Sequence, residues 1–111
     1  MTANPQTPLV VVGIDGSEHA QRALAWAAEY AGATDANLRI VAAWDTPRFF
    51  GRAVPREGYE PAEHAHELVE KAIAELDLPE GRITSLTPMG SAGQVLVDSS
   101  KDADLLVIGA H

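Results

Sequence analysis

Three segments of the chain are mainly apolar, at residues 9–14, 38–44 and 104–109, and only the first contains no charged residue. The first run is mainly β-branched and does not alternate with polar positions. A continuous run of this kind is typical of a strand that is covered on both faces in a parallel sheet. The sequence therefore predicts three buried strands, the first of them central. Residues 82–87 alternate instead, which predicts a fourth strand near a sheet edge.

A first helix is predicted between the first two strands. It follows an Asp15-Gly16-Ser17 turn, and Ser17 is a residue type that caps helix N-termini through its side-chain oxygen. Small apolar residues then recur at helical spacing. Gly32 is expected to end the helix, because glycine readily adopts the left-handed conformation found there.

Two further helices are predicted downstream. The second starts at a proline, a residue suited to the first helical turn, and its apolar stripe covers residues 61–77. Ser91 and Gln94 match the capping-box pattern, which predicts a short helix that ends near residue 101. Residues 45–59 carry prolines, glycines and aromatic residues, and are expected to form a long irregular connection that covers a site or lies on the surface.

The resulting order of elements, βαβαβαβ, predicts an α/β fold with a doubly wound parallel sheet and right-handed crossovers. Ligands of such sheets bind beyond the carboxyl ends of the strands, where the strand order reverses. In this chain that rim contains Asp15, Ala43 and Gly109. One domain is expected over residues 9–111, preceded by a flexible polar tail at residues 1–8.

Charge and composition exclude several classes of function. The net charge of −8 argues against nucleic acid and anionic membrane surfaces as partners, since both bind clustered Lys and Arg. No apolar run approaches the roughly 20 residues that span a bilayer. The sequence contains no cysteine, so it has no disulfide or thiolate site. The N-terminus does not resemble a secretory signal, and we expect a cytoplasmic protein.

Three sequence blocks, in order, resemble the universal stress protein family from Leu9 to His111. They are residues 11–18, which contain the aspartate turn, residues 90–96, and residues 103–111, which lead into the family motif G-x2-G-x9-G-[S/T]. The resemblance implies an adenine nucleotide alpha hydrolase-like sheet of strand order 3-2-1-4-5, with four of the five strands present here. It also implies ATP, with or without Mg²⁺, bound at the strand tips.

The resemblance further implies a set of nucleotide-binding positions. Asp15 corresponds to the family aspartate near the ribose and adenine, the Ala43 backbone to an adenine contact, and Gly109 to the first glycine of the motif. The full set is Gly13, Asp15, Ala43, Ile108, Gly109, Ala110 and His111.

The 111 residues end two positions after the first motif glycine. A glycine-rich loop binds phosphate through several convergent backbone N–H groups, which one glycine does not provide. We therefore expect ATP binding and a homodimer in the complete stress-response domain, and impaired ATP binding in the 111-residue chain. The chain is either a part of a longer polypeptide or a short natural homologue.

Other functions were weighed on the same residues. The alternative is a regulatory or interaction module that binds no nucleotide and acts through dimerisation or partner-strand pairing. The Asp15-Gly16-Ser17 turn lacks the G-x-S-x-G spacing of a serine hydrolase, and Asp15 also suits a purely structural turn. His64 and His66 would point apart on a helix and cannot clamp one metal. No catalytic or metal-binding residue is assigned, and at most slow ATP hydrolysis is expected.

Overall fold

The computed structural model describes residues 7–45, 48–49, 52–53 and 60–109 of the chain. Its strands are β1 (Leu9–Gly13), β2 (Asn37–Val41), β3 (Arg48–Phe49), β4 (Arg52–Ala53), β5 (Ile83–Leu86) and β6 (Leu105–Val107). Its helices are α1 (Glu18–Thr34), α2 (Pro61–Ala74) and α3 (Ala92–Ser99), with a 3₁₀ turn at Glu80–Arg82.

Four of the strands form one parallel sheet in the order β5-β2-β1-β6. In chain order this is 3-2-1-4, which confirms the predicted doubly wound sheet. The central strand is β1, whose Val12 lies between Ile40 of β2 and Val107 of β6. The alternating segment became the edge strand β5, as its pattern predicted.

Both faces of the sheet are covered, which explains why the β1 run is apolar throughout. Val10 and Val12 face a core made with α1 and α2, whereas Val11 faces a smaller core that includes Val95 of α3. Successive side chains of a strand point to opposite faces, so a strand buried on both sides needs an apolar residue at every position. Leu38 and Ile40 of β2 complete the larger core and are fully buried.

Helix α1 begins where the sequence predicted but ends later. The Ala20 N–H donates to the Ser17 side-chain oxygen over 3.2 Å, which confirms the N-cap. The predicted end at Gly32 was wrong, because the helix continues to Thr34 and Asp35 adopts the left-handed conformation with φ of 56°. Aspartate is among the few non-glycine residues that tolerate this region. Arg82 stabilises this helix end by donating to the backbone carbonyl of Ala31, in the last turn, and to that of Ala36, just after the helix.

The other two helices are shorter than predicted. Helix α2 ends at Ala74 and not near residue 77, and α3 ends at Ser99. Ser91 is the N-cap of α3, but its side chain makes no capping hydrogen bond. The Gln94 amide instead donates to Asp98 one turn further along the helix, over 3.1 Å. The capping-box prediction was therefore right about the helix start and wrong about its hydrogen bonds.

The long connection after β2 contains regular structure that the sequence did not predict. Arg48 pairs with Ala53 and Phe49 with Arg52 in a two-stranded antiparallel sheet. Backbone pairing in so short a ladder depends little on the side chains, and the sequence of this segment shows no alternation of apolar and polar residues that would have predicted it. The remainder of the connection lies outside the described residues, as do residues 1–6 of the predicted tail.

Candidate functional site

A cleft lies at the carboxyl ends of β1 and β6, where the strand order reverses. The chain runs outward from β1 through β2 to β5 and then returns to the opposite side of β1 as β6. The crevice between such neighbours is the usual ligand site of doubly wound sheets. The cavity here has a volume of about 120 Å³. Because drug-sized ligands occupy about 300 Å³ or more, this cavity would enclose a part of such a ligand.

Strand ends and two helices line the cleft. The strand ends contribute Gly13, Ile14, Asp15, Val41, Ala43, Ile108 and Gly109. The start of α1 contributes Ser17, His19 and Ala20, and α3 contributes Ala92 and Leu96.

Five of the seven positions implied by the family resemblance meet in this cleft. They are Gly13, Asp15, Ala43, Ile108 and Gly109. They come from three separate regions of the sequence, and only the parallel sheet brings them together. The remaining two, Ala110 and His111, lie outside the described residues.

Gly13 leaves space at the base of the cleft because it has no side chain. A Cβ atom built at this position would lie 2.7 Å from the Leu96 Cδ2 atom, closer than real contacts allow. The obstructing group is the end of a leucine side chain, which can rotate. A larger residue would therefore push Leu96 aside or fill the cleft itself.

Gly109 has a different and stricter neighbour. A Cβ atom there would lie 2.6 Å from both the carbonyl carbon and the carbonyl oxygen of His19, and 2.9 Å from the Ala20 nitrogen. These are backbone atoms of the first turn of α1, and they cannot rotate away. The glycine thus lets the end of β6 approach the start of α1 and close one side of the cleft.

Asp15 has a structural role that the geometry shows directly. Its Oδ1 atom accepts a hydrogen bond from the Ser17 N–H over 2.9 Å, which closes the turn between β1 and α1. Gly16, between them, has φ of 87°. The Asp15 side chain also lines the cleft, so the turn role leaves it positioned to contact a ligand.

The sequence pattern did not assign His19, Leu96 or Ser17 to a binding site. His19 and Ser17 were predictable in principle, since the helix that follows β1 must start at the same rim. Leu96 was not, because the packing of α3 against the end of β1 is a tertiary contact without a local signal. Among the described residues, no group of three or more acidic or histidine side chains could hold a metal ion.

The fold and the position of the cleft define the class of protein. A parallel sheet with helices on both faces and a cleft at its switch point is the architecture of doubly wound α/β domains, whose ligands bind at this position. The sequence matches the universal stress protein family over residues 9–111. The chain belongs to this family.

Relatives with known sequences or structures agree with this assignment. Universal stress protein Rv2028c of Mycobacterium tuberculosis is 32% identical over 115 residues, which cover 99% of this chain and 40% of that protein. A universal stress protein crystallised in complex with cAMP is 27% identical, with a TM-score of 0.65 over 90% of this chain and 74% of that one. UspA from Lactobacillus plantarum shares the fold, with a TM-score of 0.73 and 21% identity over 95% of this chain and 78% of its own.

The chain spans about 40% of the length of the curated relatives that it matches. Within the part of the chain that the structure describes, no helix combines the length and apolar character needed to cross a bilayer.

Proposed function

We propose that this universal stress protein domain binds an adenine nucleotide in the cleft between β1 and β6. The observation that carries the proposal is the convergence of Gly13, Asp15, Ala43, Ile108 and Gly109 at the switch point of the sheet. The homologue that was crystallised with cAMP, at 27% identity, supports the same class of ligand. The domain would act in the stress response by changing its surface or assembly when the nucleotide is bound.

The apolar part of the cleft suits the base. Ala43 and Ile108 offer apolar surface against which a flat ring can pack, and the backbone of Ala43 offers polar atoms at its edge. Specific polar contacts in a mainly apolar pocket are what usually fix the orientation of a small ligand. Asp15 lies at the same rim, where its carboxylate would accept hydrogen bonds from ribose hydroxyl groups.

The triphosphate places a further demand on the site. Phosphate binding by a glycine-rich loop needs several backbone N–H groups that point at one place. Gly109 supplies the first glycine of the family motif, and the 111 residues contain no later one. We therefore infer that the 111-residue chain gains little affinity from the second and third phosphates of ATP. Any Mg²⁺ would be held mainly through the phosphates, as is usual for this ion.

The proposed role is binding and not catalysis. Asp15 is the only carboxylate among the described residues that line the cleft, and its Oδ1 atom already holds the turn. Efficient phosphoryl transfer needs a positioned base or water and cations around the leaving group. We therefore infer that ATP hydrolysis, if it occurs, is slow.

Calorimetric titration of the 111-residue chain with adenosine and with ATP tests the proposal. We expect saturable binding of both, with a dissociation constant on the order of 1 mM for adenosine, equivalent to about −4 kcal/mol, and binding of ATP that is at least as tight. The homologue that binds cAMP provides a positive control for the assay. Absence of adenosine binding at about ten times that concentration would refute the nucleotide site, and micromolar ATP binding would refute the inference about the missing glycines.

A second candidate function rests on the outer edge of β6. In the described part of the chain β6 pairs only with β1, and its neighbourhood exposes Leu106 by 37% and Ile108 by 58%. Strand edges with exposed apolar side chains readily pair with another chain. We propose that, in the 111-residue chain, this edge pairs with a strand of a second copy or of a partner protein.

Sedimentation of the 111-residue chain at increasing concentration tests this second function. Self-association should be reduced by Leu106→Lys, since a charge on an edge strand disfavours pairing. Val97→Lys, at a site on α3 that is 56% exposed, is a matched control that should associate normally. A strictly monomeric chain would count against a role for this edge in dimer formation.

A further inference from the structure

The polar side chains of the cleft differ in the charge they can carry. Of the described residues that line it, Asp15, Ser17 and His19 are the polar ones. Asp15 is acidic, and the Ser17 hydroxyl accepts the N-cap hydrogen bond of α1. His19 is the one of the three whose side chain carries N–H groups, the type of donor that suits a phosphate.

The position of His19 favours an anionic group beside it. It is the second residue of α1, a 17-residue helix whose first turn carries partial positive charge on its N–H groups. Gly109 packs directly on the His19 backbone, so the end of β6 and the start of α1 meet at this residue. The adjacent acid, Glu18, is exposed and lies 3.5 Å from the Arg22 guanidinium, which partly offsets its charge.

A nucleotide in this cleft would thus meet unlike surroundings at its two ends. The carboxylate of Asp15 would repel a phosphate and attract hydroxyl groups, whereas the His19 side would attract the phosphate. Val41 and Ala43 lie at the ends of the strand on the other side of β1, away from β6. The base would face Ala43, and the phosphate would face the start of α1.

We propose that His19 is a specificity-determining residue that recognises the phosphate nearest the ribose. This inference rests on the proposed nucleotide site and extends it, because it assigns a phosphate contact to a side chain outside the glycine motif. The contact would be a charge-assisted hydrogen bond, which is stronger than a neutral one.

The test compares adenosine, AMP and ATP on the 111-residue chain and its variants by calorimetric titration. The unmodified chain should bind AMP about tenfold more tightly than adenosine, which corresponds to about 1.4 kcal/mol, and ATP about as tightly as AMP. His19→Ala should abolish the preference for AMP and leave adenosine binding within about twofold. His19→Lys, which keeps an N–H donor at this position, should retain the preference.

The ratio of the AMP and adenosine affinities separates a phosphate contact from general damage, because misfolding would weaken both ligands together. His66→Ala is the matched control, since His66 is exposed on α2 and does not line the cleft. An unchanged ratio in His19→Ala would overturn the assignment of His19 while leaving the nucleotide site intact. Failure of the unmodified chain to bind adenosine would instead overturn the nucleotide site, and the His19 inference with it. If His19→Ala does not fold, loss of the preference in His19→Lys overturns the inference and its retention supports it.

Discussion

Gly109, just after the last strand, lies against the backbone of His19 in the first turn of the first helix. A Cβ atom at residue 109 would come within 2.6 Å of the His19 carbonyl group. The position therefore has a packing requirement that is independent of any ligand. The same contact closes one side of the cleft, so the geometry of the proposed site and the stability of the fold depend on the same glycine.

Replacement of Gly109 by alanine should destabilise the domain by about 1–3 kcal/mol, the usual cost of forcing an extra methyl group into a packed contact. The reason is that the obstructing atoms belong to the backbone and must move with the whole helix start. Urea unfolding followed by tryptophan fluorescence measures the effect. The expected shift is a lower midpoint with an unchanged slope.

Gly93→Ala is the matched control for this substitution. Gly93 lies in α3, and a Cβ atom built there meets no atom within 4 Å. Alanine should therefore stabilise the helix by about 0.5–1 kcal/mol. If both substitutions had the same effect, the close approach of Gly109 to α1 would not explain its cost.

Gly13→Ala should weaken ligand binding in the cleft with little effect on the stability of the fold. The new methyl group would meet the end of the Leu96 side chain, which can rotate, so the stability cost should stay below about 1.5 kcal/mol. The displaced leucine or the methyl group itself would occupy part of a cavity of about 120 Å³. Adenosine affinity should therefore fall several-fold while the chain remains folded. Unaltered affinity would show that adenosine binds elsewhere.

Alanine substitutions at Gly32 and Asp35, near the end of α1, should change the stability of the domain in opposite directions. Gly32 is inside α1, and a Cβ atom there would lie 3.7 Å from the Leu78 Cδ2 atom, an ordinary contact. Gly32→Ala should therefore raise the free energy of unfolding by about 0.5–1 kcal/mol. Asp35→Ala should lower it by about 1–2 kcal/mol, because alanine tolerates the left-handed conformation poorly. The reverse order in chemical denaturation would restore Gly32 as the helix terminus.

The ion pair between Arg39 of β2 and Asp102 predicts that the stability of the domain depends on pH. Arg39 donates to both carboxylate oxygens of Asp102, over 2.9 and 3.3 Å, and to the Ser99 carbonyl. The hydrogen bond from Arg39 lowers the pKa of the Asp102 carboxyl below its ordinary value of 3.8. The stabilisation is therefore present in full above pH 3.8 and is lost as the pH falls through the lower pKa of the folded state.

Comparison with Asp102→Asn isolates this contribution. The difference in unfolding free energy between the two proteins should be largest near neutral pH and should shrink as the pH falls below 3.8. Since Asp102 is exposed, added salt should reduce the difference further. A difference that stays constant from neutral to acidic pH would mean that the pair does not stabilise the folded state through charge.

Much of the fold could be predicted because the apolar pattern of each strand reflects how far its faces are buried. The continuous apolar run of β1 follows from its coverage on both faces, and the alternating pattern of β5 follows from its place at the edge. The exact residues at which helices end could not be predicted in the same way. Asp35 rather than Gly32 ends α1 because tertiary contacts, including the hydrogen bonds from Arg82, support the last turn.

The candidate site shows the same division. Asp15 and Gly109 were predictable as rim residues, because both follow a buried parallel strand. Leu96 enters the cleft from α3, and the His19 backbone meets Gly109 only in the folded chain. Contacts between distant segments leave no periodic signal in one sequence, so these two neighbours could be found only in the structure.

Mapping of adenosine binding by amide chemical shifts tests the central claim most directly. Titration of the isotope-labelled 111-residue chain should shift the amides of Gly13, Asp15, Ala43 and Gly109 together along one binding curve, and should leave those of α2 largely unmoved. Shifts that are absent at saturating adenosine, or that cluster on a surface away from the ends of β1 and β6, would contradict the account.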